Sequence, residues 1–192
     1  TGRYLDVACG TGDLSLAAAR RHPQITVTGI DFVEGMVEAA RKKAQVKKLA
    51  SRVSFLQGDA LRLPFNDNSF DVAGIAFGIR NIPDRERALA EMRRVVVPGG
   101  QVMVLEMSFS QRRLFRPIYS VYLNRLLPLQ AKLFSQNPAA YFYLADSIMN
   151  FPPPDEFAKI MADTGLARVQ KFPLTFGITW LYVGIKGKAG RS

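Results

Sequence analysis

Short apolar runs along this chain alternate with stretches in which apolar residues recur every third or fourth position. The first kind suits strands buried on both faces, the second amphipathic helices. The pattern predicts strands over residues 4–8, 25–30, 53–57, 70–77 and 102–107, and helices over 14–21, 36–49 and 85–95. A Gly10-Thr11-Gly12 turn follows the first strand. Pro98-Gly99-Gly100 reads as a turn closing the third helix before the fifth strand. Repeated strand–helix–strand order implies a parallel sheet covered on both faces. The last third differs. Residues 109–151 are mostly helical in pattern and rich in aromatics, and 155–164 read as a helix stopped by Gly165. Residues 169–174 and 178–185 read as two strands joined by Thr175-Phe176-Gly177, an antiparallel pair completing the sheet. The expected fold is α/β and doubly wound, a mostly parallel seven-stranded sheet with an antiparallel C-terminal strand. One domain is expected, with a cofactor-binding half at 1–108, a helical lid at 109–151 and a closing helix and strand pair at 152–192. A core strand rarely opens a domain without a lead-in, so a segment before Thr1 is expected to be missing from this sequence.

Polar residues stand where the predicted strands end, and in open α/β sheets ligands bind beyond the carboxyl ends. The first strand runs Leu5-Asp6-Val7-Ala8-Cys9 into the glycine turn and Asp13. Two glycines let a backbone turn sharply and approach a ligand closely. The helix that follows offers free N–H groups at its start. Asp31, followed by Phe32, ends the second strand, where a carboxylate can accept hydrogen bonds from both ribose hydroxyls. Gly58-Asp59-Ala60 ends the third and offers a polar group and a small residue to an adenine. A dinucleotide is the competing ligand, but its fingerprint needs a third glycine where Ser15 stands. Asp6 and Asp13 also suit a cationic ligand better than a pyrophosphate. S-adenosylmethionine (SAM), with its sulfonium and ammonium, is the expected cofactor, and no metal is assigned.

Composition adds a partner class. The formal charge is +10, which points to an anionic partner or to a solubilising surface. Arg112, Arg113, Arg116, Arg125 and Lys132 lie among Phe109, Phe115, Tyr119 and Tyr122, with no acidic residue between them. Apolar and basic faces on one helix fit an amphipathic element on an anionic membrane. An ordinary lid helix or a homodimer surface is the alternative. The only cysteine, Cys9, permits no internal disulfide, and no apolar run approaches a membrane span. The expected location is cytoplasmic, with peripheral contact at the inner face of the cell membrane.

Further stretches narrow the family. They are Phe77-Gly78-Ile79-Arg80-Asn81, Ala140-Tyr141-Phe142-Tyr143-Leu144-Ala145-Asp146-Ser147-Ile148 and Leu174-Thr175-Phe176-Gly177-Ile178, together with Pro98-Gly99-Gly100. In these the chain resembles the ubiquinone/menaquinone biosynthesis C-methyltransferases, over essentially its whole length. The resemblance implies a Rossmann-like SAM-methyltransferase fold. It implies methylation of a ring carbon of a polyprenyl quinol, either demethylmenaquinol or a 2-methoxy-6-polyprenyl-benzoquinol. It places SAM contacts at Thr11, Asp31, Asp59 and Ala60, and another at Ala76, where many members carry serine. With the turn and its neighbours, the expected cofactor set is Asp6, Gly10, Thr11, Gly12, Asp31, Phe32, Asp59, Ala60, Ala76 and Phe77. Gln130-Ala131 and Gln136-Asn137 depart from common family residues in the lid region. The family's N-terminal helical segment, with its Tyr-Asp pair, is absent from this sequence.

Methyl transfer is an in-line displacement, and a ring carbon is a poor nucleophile unless the adjacent hydroxyl loses its proton. A general base or a water relay is therefore needed. The single histidine, His22, falls in the loop leaving the first helix, away from the carboxyl ends of the strands. Arg80 follows the fourth strand and stays protonated. Its expected role is to stabilise the quinolate and orient a water, with Asn81 fixing the ring. A turn that merely caps the next helix is the alternative. Tyr141, with Tyr143 and Asp146, is the candidate lining of the ring pocket, and helix packing is the alternative there. A nucleic-acid methyltransferase is disfavoured. No Asn-Pro-Pro-Tyr or Asp-Pro-Pro-Tyr follows the fourth strand, and the lone cysteine sits in the cofactor turn, which closes the cysteine-nucleophile route. A small-molecule O-methyltransferase and a non-catalytic SAM-binding protein remain as rivals.

Overall fold

The strand–helix alternation is realised as β1 (Gly2–Val7), α1 (Asp13–Arg21), β2 (Ile25–Asp31), α2 (Glu34–Val46), β3 (Val53–Gln57), β4 (Phe70–Ala76), α3 (Arg85–Val95) and β5 (Val96–Met107). Then come α4 (Pro138–Met149), α5 (Pro154–Asp163), β6 (Leu166–Leu174) and β7 (Thr179–Lys186). The structure, a computed structural model, describes residues 2–108 and 138–187, with backbone alone for 138–142 and 145. The basic, aromatic stretch and both lid-region departures from the family thus lie outside the described residues.

One sheet has the order β3-β2-β1-β4-β5-β7-β6. The pairs β1–β2, β2–β3, β1–β4 and β4–β5 are parallel, and β7 runs antiparallel to both β5 and β6. Strand order reverses between β1 and β4, and a crevice opens at such a switch point beyond the carboxyl ends. Alternating side chains feed two cores. Leu5, Val7, Ala73, Ile75, Val102 and Val104 pack against α3 and α5 on one face. Val27, Val53 and Phe55 pack against α1 and α2 on the other. Tyr4, Val72, Gly74, Met103, Leu105 and Leu181 line an apolar groove of about 440 Å³ on the α1 side. His22 and Gly2 border one end of this groove and Ala76 the other, so it runs along the sheet from the carboxyl end of β4 to the amino end of β1.

Several expected boundaries shift, and two of the shifts have a clear local cause. Pro98-Gly99-Gly100 is not a turn before the strand but a bulge inside it. Val96 pairs with Phe70 and Gln101 with Val72, so the surplus residues are pushed out of the ladder between two intact pairings. Gly99 takes φ 85° there. Helix α2 stops at Val46 rather than reaching Leu49. Lys48 is left-handed (φ 56°), the Leu49 N–H donates to the Ala44 carbonyl at 2.9 Å, and the Lys48 N–H donates to Gln45 at 3.0 Å. This is a Schellman closure with lysine in the place glycine usually takes, and buried Leu49 supplies its apolar contact.

Candidate functional site

The turn after β1 folds over left-handed residues: Ala8 (φ 53°), Gly10 (φ 54°) and Gly12 (φ 77°). The Cys9 N–H donates to the Ile30 carbonyl at 3.0 Å, tying the turn to β2. The two glycines do different work. A Cβ on Gly10 would meet nothing within 4 Å, so its face is open to a ligand. A Cβ on Gly12 would stand 2.5 Å from the Phe55 ring, and one on Gly29 would stand 2.4 Å from it. Gly12 therefore serves internal packing, while Gly10 alone offers the close approach expected of both.

The carboxylates divide in the same way. Asp31 accepts the Gly10 N–H at 2.7 Å on one oxygen and the Val33 N–H at 3.0 Å on the other. Both bonds lie on backbone, so the carboxylate is held rigidly at the crevice. Asp6, expected among the cofactor contacts, is 2 % exposed and accepts the Ser15 hydroxyl at 2.5 Å and the Tyr4 hydroxyl at 3.3 Å. It steadies the first turn of α1 from beneath and does not line the crevice surface. Burial pushes its carboxyl up to about 6, against the hydrogen bonds that favour its charge. The Ser15 hydroxyl thus explains why no third glycine stands there. Asp13 is exposed and paired with Lys43 at 2.8 Å, and Lys43 also donates to the Thr11 hydroxyl at 2.7 Å. Those contacts hold the Asp13 carboxyl below its ordinary range. Neither turn carboxylate presents free charge to a ligand, because one is buried and the other neutralised. Burial pushes the Cys9 thiol up to about 12, so it stays protonated and is no nucleophile.

Beyond β2 and β3 the surface suits a nucleoside. Phe32 is 73 % exposed beside Asp31, and the Gln57 amide donates to its carbonyl at 3.1 Å. Asp59 is exposed and accepts the Leu61 N–H at 2.8 Å in a tight turn next to partly buried Ala60. Helix α3 clamps the loop that follows. Arg87 donates to the Leu61 carbonyl, and Glu91 accepts the Leu63 N–H. Arg94 donates to the carbonyls of Leu63 and Phe65 and to Asp67 and Glu91. Ala76 ends β4, half-buried and paired with Leu105. Phe77 is exposed and left-handed (φ 55°), its N–H held by Leu105 at 2.8 Å. An open glycine face, a fixed carboxylate and an exposed ring in sequence around one crevice fit the ribose and purine of SAM.

Arg80 lies in the single turn Ile79–Asn81 after β4. That turn does not cap α3, whose N-cap is Asp84, accepting the Arg87 N–H at 2.9 Å. Arg80 is instead locked to Glu106 of β5, with Nη1 2.6 Å from Oε1. Glu106 is fully buried and was missed in the sequence. The signal was there. Val102, Val104 and Glu106 share a face at strand period, so a carboxylate falls where the pattern demands an apolar side chain. Asn81 accepts the Tyr143 hydroxyl at 3.2 Å, which joins α4 to the same turn. The Tyr141 side chain lies outside the described residues, and Asp146 accepts the Asn150 amide at 2.9 Å at the end of α4. His22 borders the end of the groove that lies at the amino end of β1, away from the Arg80 turn.

Comparison with known proteins gives these residues a context. The model of the ubiE/COQ5 methyltransferase family matches residues 1–186. A Geobacter sulfurreducens protein named ubiquinone/menaquinone biosynthesis C-methyltransferase is 46 % identical over 97 % of this chain and 73 % of its own. A Deinococcus radiodurans protein named demethylmenaquinone methyltransferase is 45 % identical over 96 % of this chain and 75 % of its own. Among solved structures, a putative methyltransferase from Bacillus halodurans aligns with a TM-score of 0.70 at 17 % identity, over 98 % of this chain and 94 % of that one. A Haemonchus contortus phosphoethanolamine N-methyltransferase solved with SAM gives a TM-score of 0.72 at 17 % identity, over 97 % of this chain and 49 % of that one. At such identity these structures show the fold, which is the Rossmann-like one of SAM methyltransferases.

Proposed function

This chain belongs to the ubiE/COQ5 methyltransferase family and is a SAM-dependent methyltransferase, and from that premise we propose that it methylates a ring carbon of a polyprenyl quinol. The substrate is demethylmenaquinol or a 2-methoxy-6-polyprenyl-benzoquinol, in menaquinone or ubiquinone biosynthesis. One observation of this molecule carries the reading: a largely enclosed, ion-paired arginine in the turn after β4, where ligands of this fold lie.

SAM supplies the methyl group as an electrophile on a sulfonium. In this reading Gly10, Asp31 and Phe32 hold the ribose and base, with Asp59, Ala60, Ala76 and Phe77 completing the adenosine wall. Thr11 and Gly12 shape the turn. The ring must become electron-rich for its carbon to attack, so a hydroxyl proton leaves to water as negative charge grows on oxygen. Arg80 donates to that oxygen and remains protonated throughout. Asn81, held by Tyr143, orients the ring. The quinol is dissolved in the bilayer, so the enzyme works at the inner, cytoplasmic face of the membrane. Its basic stretch at residues 109–134 rests on anionic lipid there, alone or as a homodimer. Among the described residues no helix is long and apolar enough to cross a membrane.

Labelled SAM offered with demethylmenaquinol, a demethoxyquinol and a catechol tests this reading. Product on a quinol ring carbon is expected, and product on the catechol alone favours the O-methyltransferase. Arg80→Ala is expected to lower kcat by about 10²-fold or more, the typical loss of one preorganised donor to a developing oxyanion. Near-normal methylation with intact SAM binding sinks the role of Arg80.

A further inference from the structure

We infer that Glu106 is a positioning residue whose task is to aim Arg80 at the crevice, an inference that rests on the role of Arg80 given above. A carboxylate with no exposed surface is costly unless it is paired and hydrogen-bonded. Glu106 is satisfied almost entirely by one residue. Oε1 accepts Arg80 Nη1 at 2.6 Å and the Met107 N–H at 2.8 Å. Oε2 accepts the backbone N–H of Arg80 at 3.2 Å. The same carboxylate thus grips both the root and the tip of the arginine.

The remaining geometry makes the guanidinium one-sided. Arg80 Nη1 also donates to the Phe77 carbonyl at 2.8 Å, closing the side chain back over its own turn. Arg80 Nε is sealed from solvent with no partner among the described residues. The side chain is only 11 % exposed. Nη1 is spent on the protein and Nε is enclosed, so in this inference the substrate oxygen is met through Nη2. An unheld arginine would sample many rotamers, and one facing a charged quinolate would move to meet it. The buried carboxylate removes that freedom before substrate arrives, which is the condition for electrostatic catalysis without reorganisation. The pair is also neutral as a whole. It therefore has little pull on the resting, protonated quinol, and a hydrogen bond from Nη2 gains strength as charge develops on the oxygen.

The test uses Glu106→Gln, Arg80→Ala and the double variant, each assayed for quinol methylation, SAM affinity and thermal unfolding. Glu106→Gln keeps the shape and removes the charge. Its kcat is expected to fall at least about tenfold, with the SAM dissociation constant within about twofold of wild type. The double variant is expected to be no slower than Arg80→Ala, because Glu106 acts only through Arg80. The double variant should also unfold at a higher temperature than Arg80→Ala, which strands a buried carboxylate without its partner. Should Glu106→Gln fail to fold, Glu106→Asp keeps the charge but shortens the grip, and a fall in kcat with SAM binding intact is again expected. Wild-type kcat in the folded variants, or a double variant slower than Arg80→Ala by the full factor seen for Glu106→Gln, overturns the inference. No product from the wild-type protein on any quinol overturns the substrate reading itself, and with it the catalytic use of the pair.

Discussion

Asp6 holds its charge at neutral pH in a place that water does not reach. Its carboxyl titrates near 6 in the fold, above the 3.8 of the free side chain. The folded state therefore holds that proton more tightly than the unfolded chain does. Between about pH 4 and pH 6 the unfolded state binds fewer protons, so this residue's contribution is full below pH 4 and is lost as pH rises through 6. The loss approaches roughly 3 kcal/mol at neutral pH, at about 1.4 kcal/mol per unit of displacement. Asp13 and Glu91, held below their ordinary range by Lys43 and Arg94, act in the opposite sense and weaken the fold as pH falls. The comparison of wild type with Asp6→Asn isolates the first effect. Urea unfolding at a series of pH values is expected to show the wild-type deficit growing from pH 4 to pH 6, and a constant difference overturns it. The Ser15 hydroxyl is what keeps the deficit this small, and no reading of glycine fingerprints conveys that role.

At the scale of elements, helix α3 is the scaffold of the β3–β4 loop, the adenine side of the proposed site. The face it turns to the β3–β4 loop carries Arg87, Glu91 and Arg94, and these hold the backbone of that loop, which begins at Asp59 and Ala60. Arg94 is the centre of this clamp because its planar fork can meet two carbonyls and two carboxylates together. Lysine offers a point charge and cannot make that set. Arg94→Lys is expected to destabilise the fold by about 1–3 kcal/mol, the usual loss for charged hydrogen bonds left unmade. It is also expected to raise amide exchange in residues 59–67 and to weaken SAM binding several-fold. Unchanged exchange in that loop removes the clamp as its cause. Turn Ile79–Asn81 is fixed differently, by Glu106 of β5 on one side and Tyr143 of α4 on the other. The sequence placed Arg80 and Asn81 correctly beyond β4. It did not convey that the arginine would be largely enclosed and paired, because the partner lies 26 residues away on the next strand.

For the molecule as a whole, the sheet order sets a division of labour. The residues of the proposed site come from the carboxyl ends of β1, β2, β3 and β4, with Glu106 near that end of β5. The apolar groove beside Tyr4, Met103 and Leu105 lies across the sheet and extends to its other end. The chain carries a formal charge of +10, and the basic run at 109–134 is free of acids. Binding to vesicles containing anionic lipid is therefore expected, at about 1 kcal/mol for each lysine or arginine near the surface. It should weaken as salt rises. Flotation with neutral and anionic vesicles checks this, and equal recovery from both counts against the membrane contact.

The sequence by itself determined the order of elements, the doubly wound class, the turn after β1 and the family, because strand period, glycine turns and motif residues are local features. It also determined that a carboxylate ends β2, since Asp31 needs only its own strand to place it. Only the tertiary structure decided which groups of that list are enclosed or paired and which stay open. Ser15 and Tyr4 enclose Asp6, Lys43 neutralises Asp13, and Phe55 claims the space beside Gly12. Each of these outcomes depends on a partner from another turn or strand, and burial and charge pairing are properties of that meeting. The same reason hid Glu106, whose meaning appears only when β5 is laid beside the turn that holds Arg80.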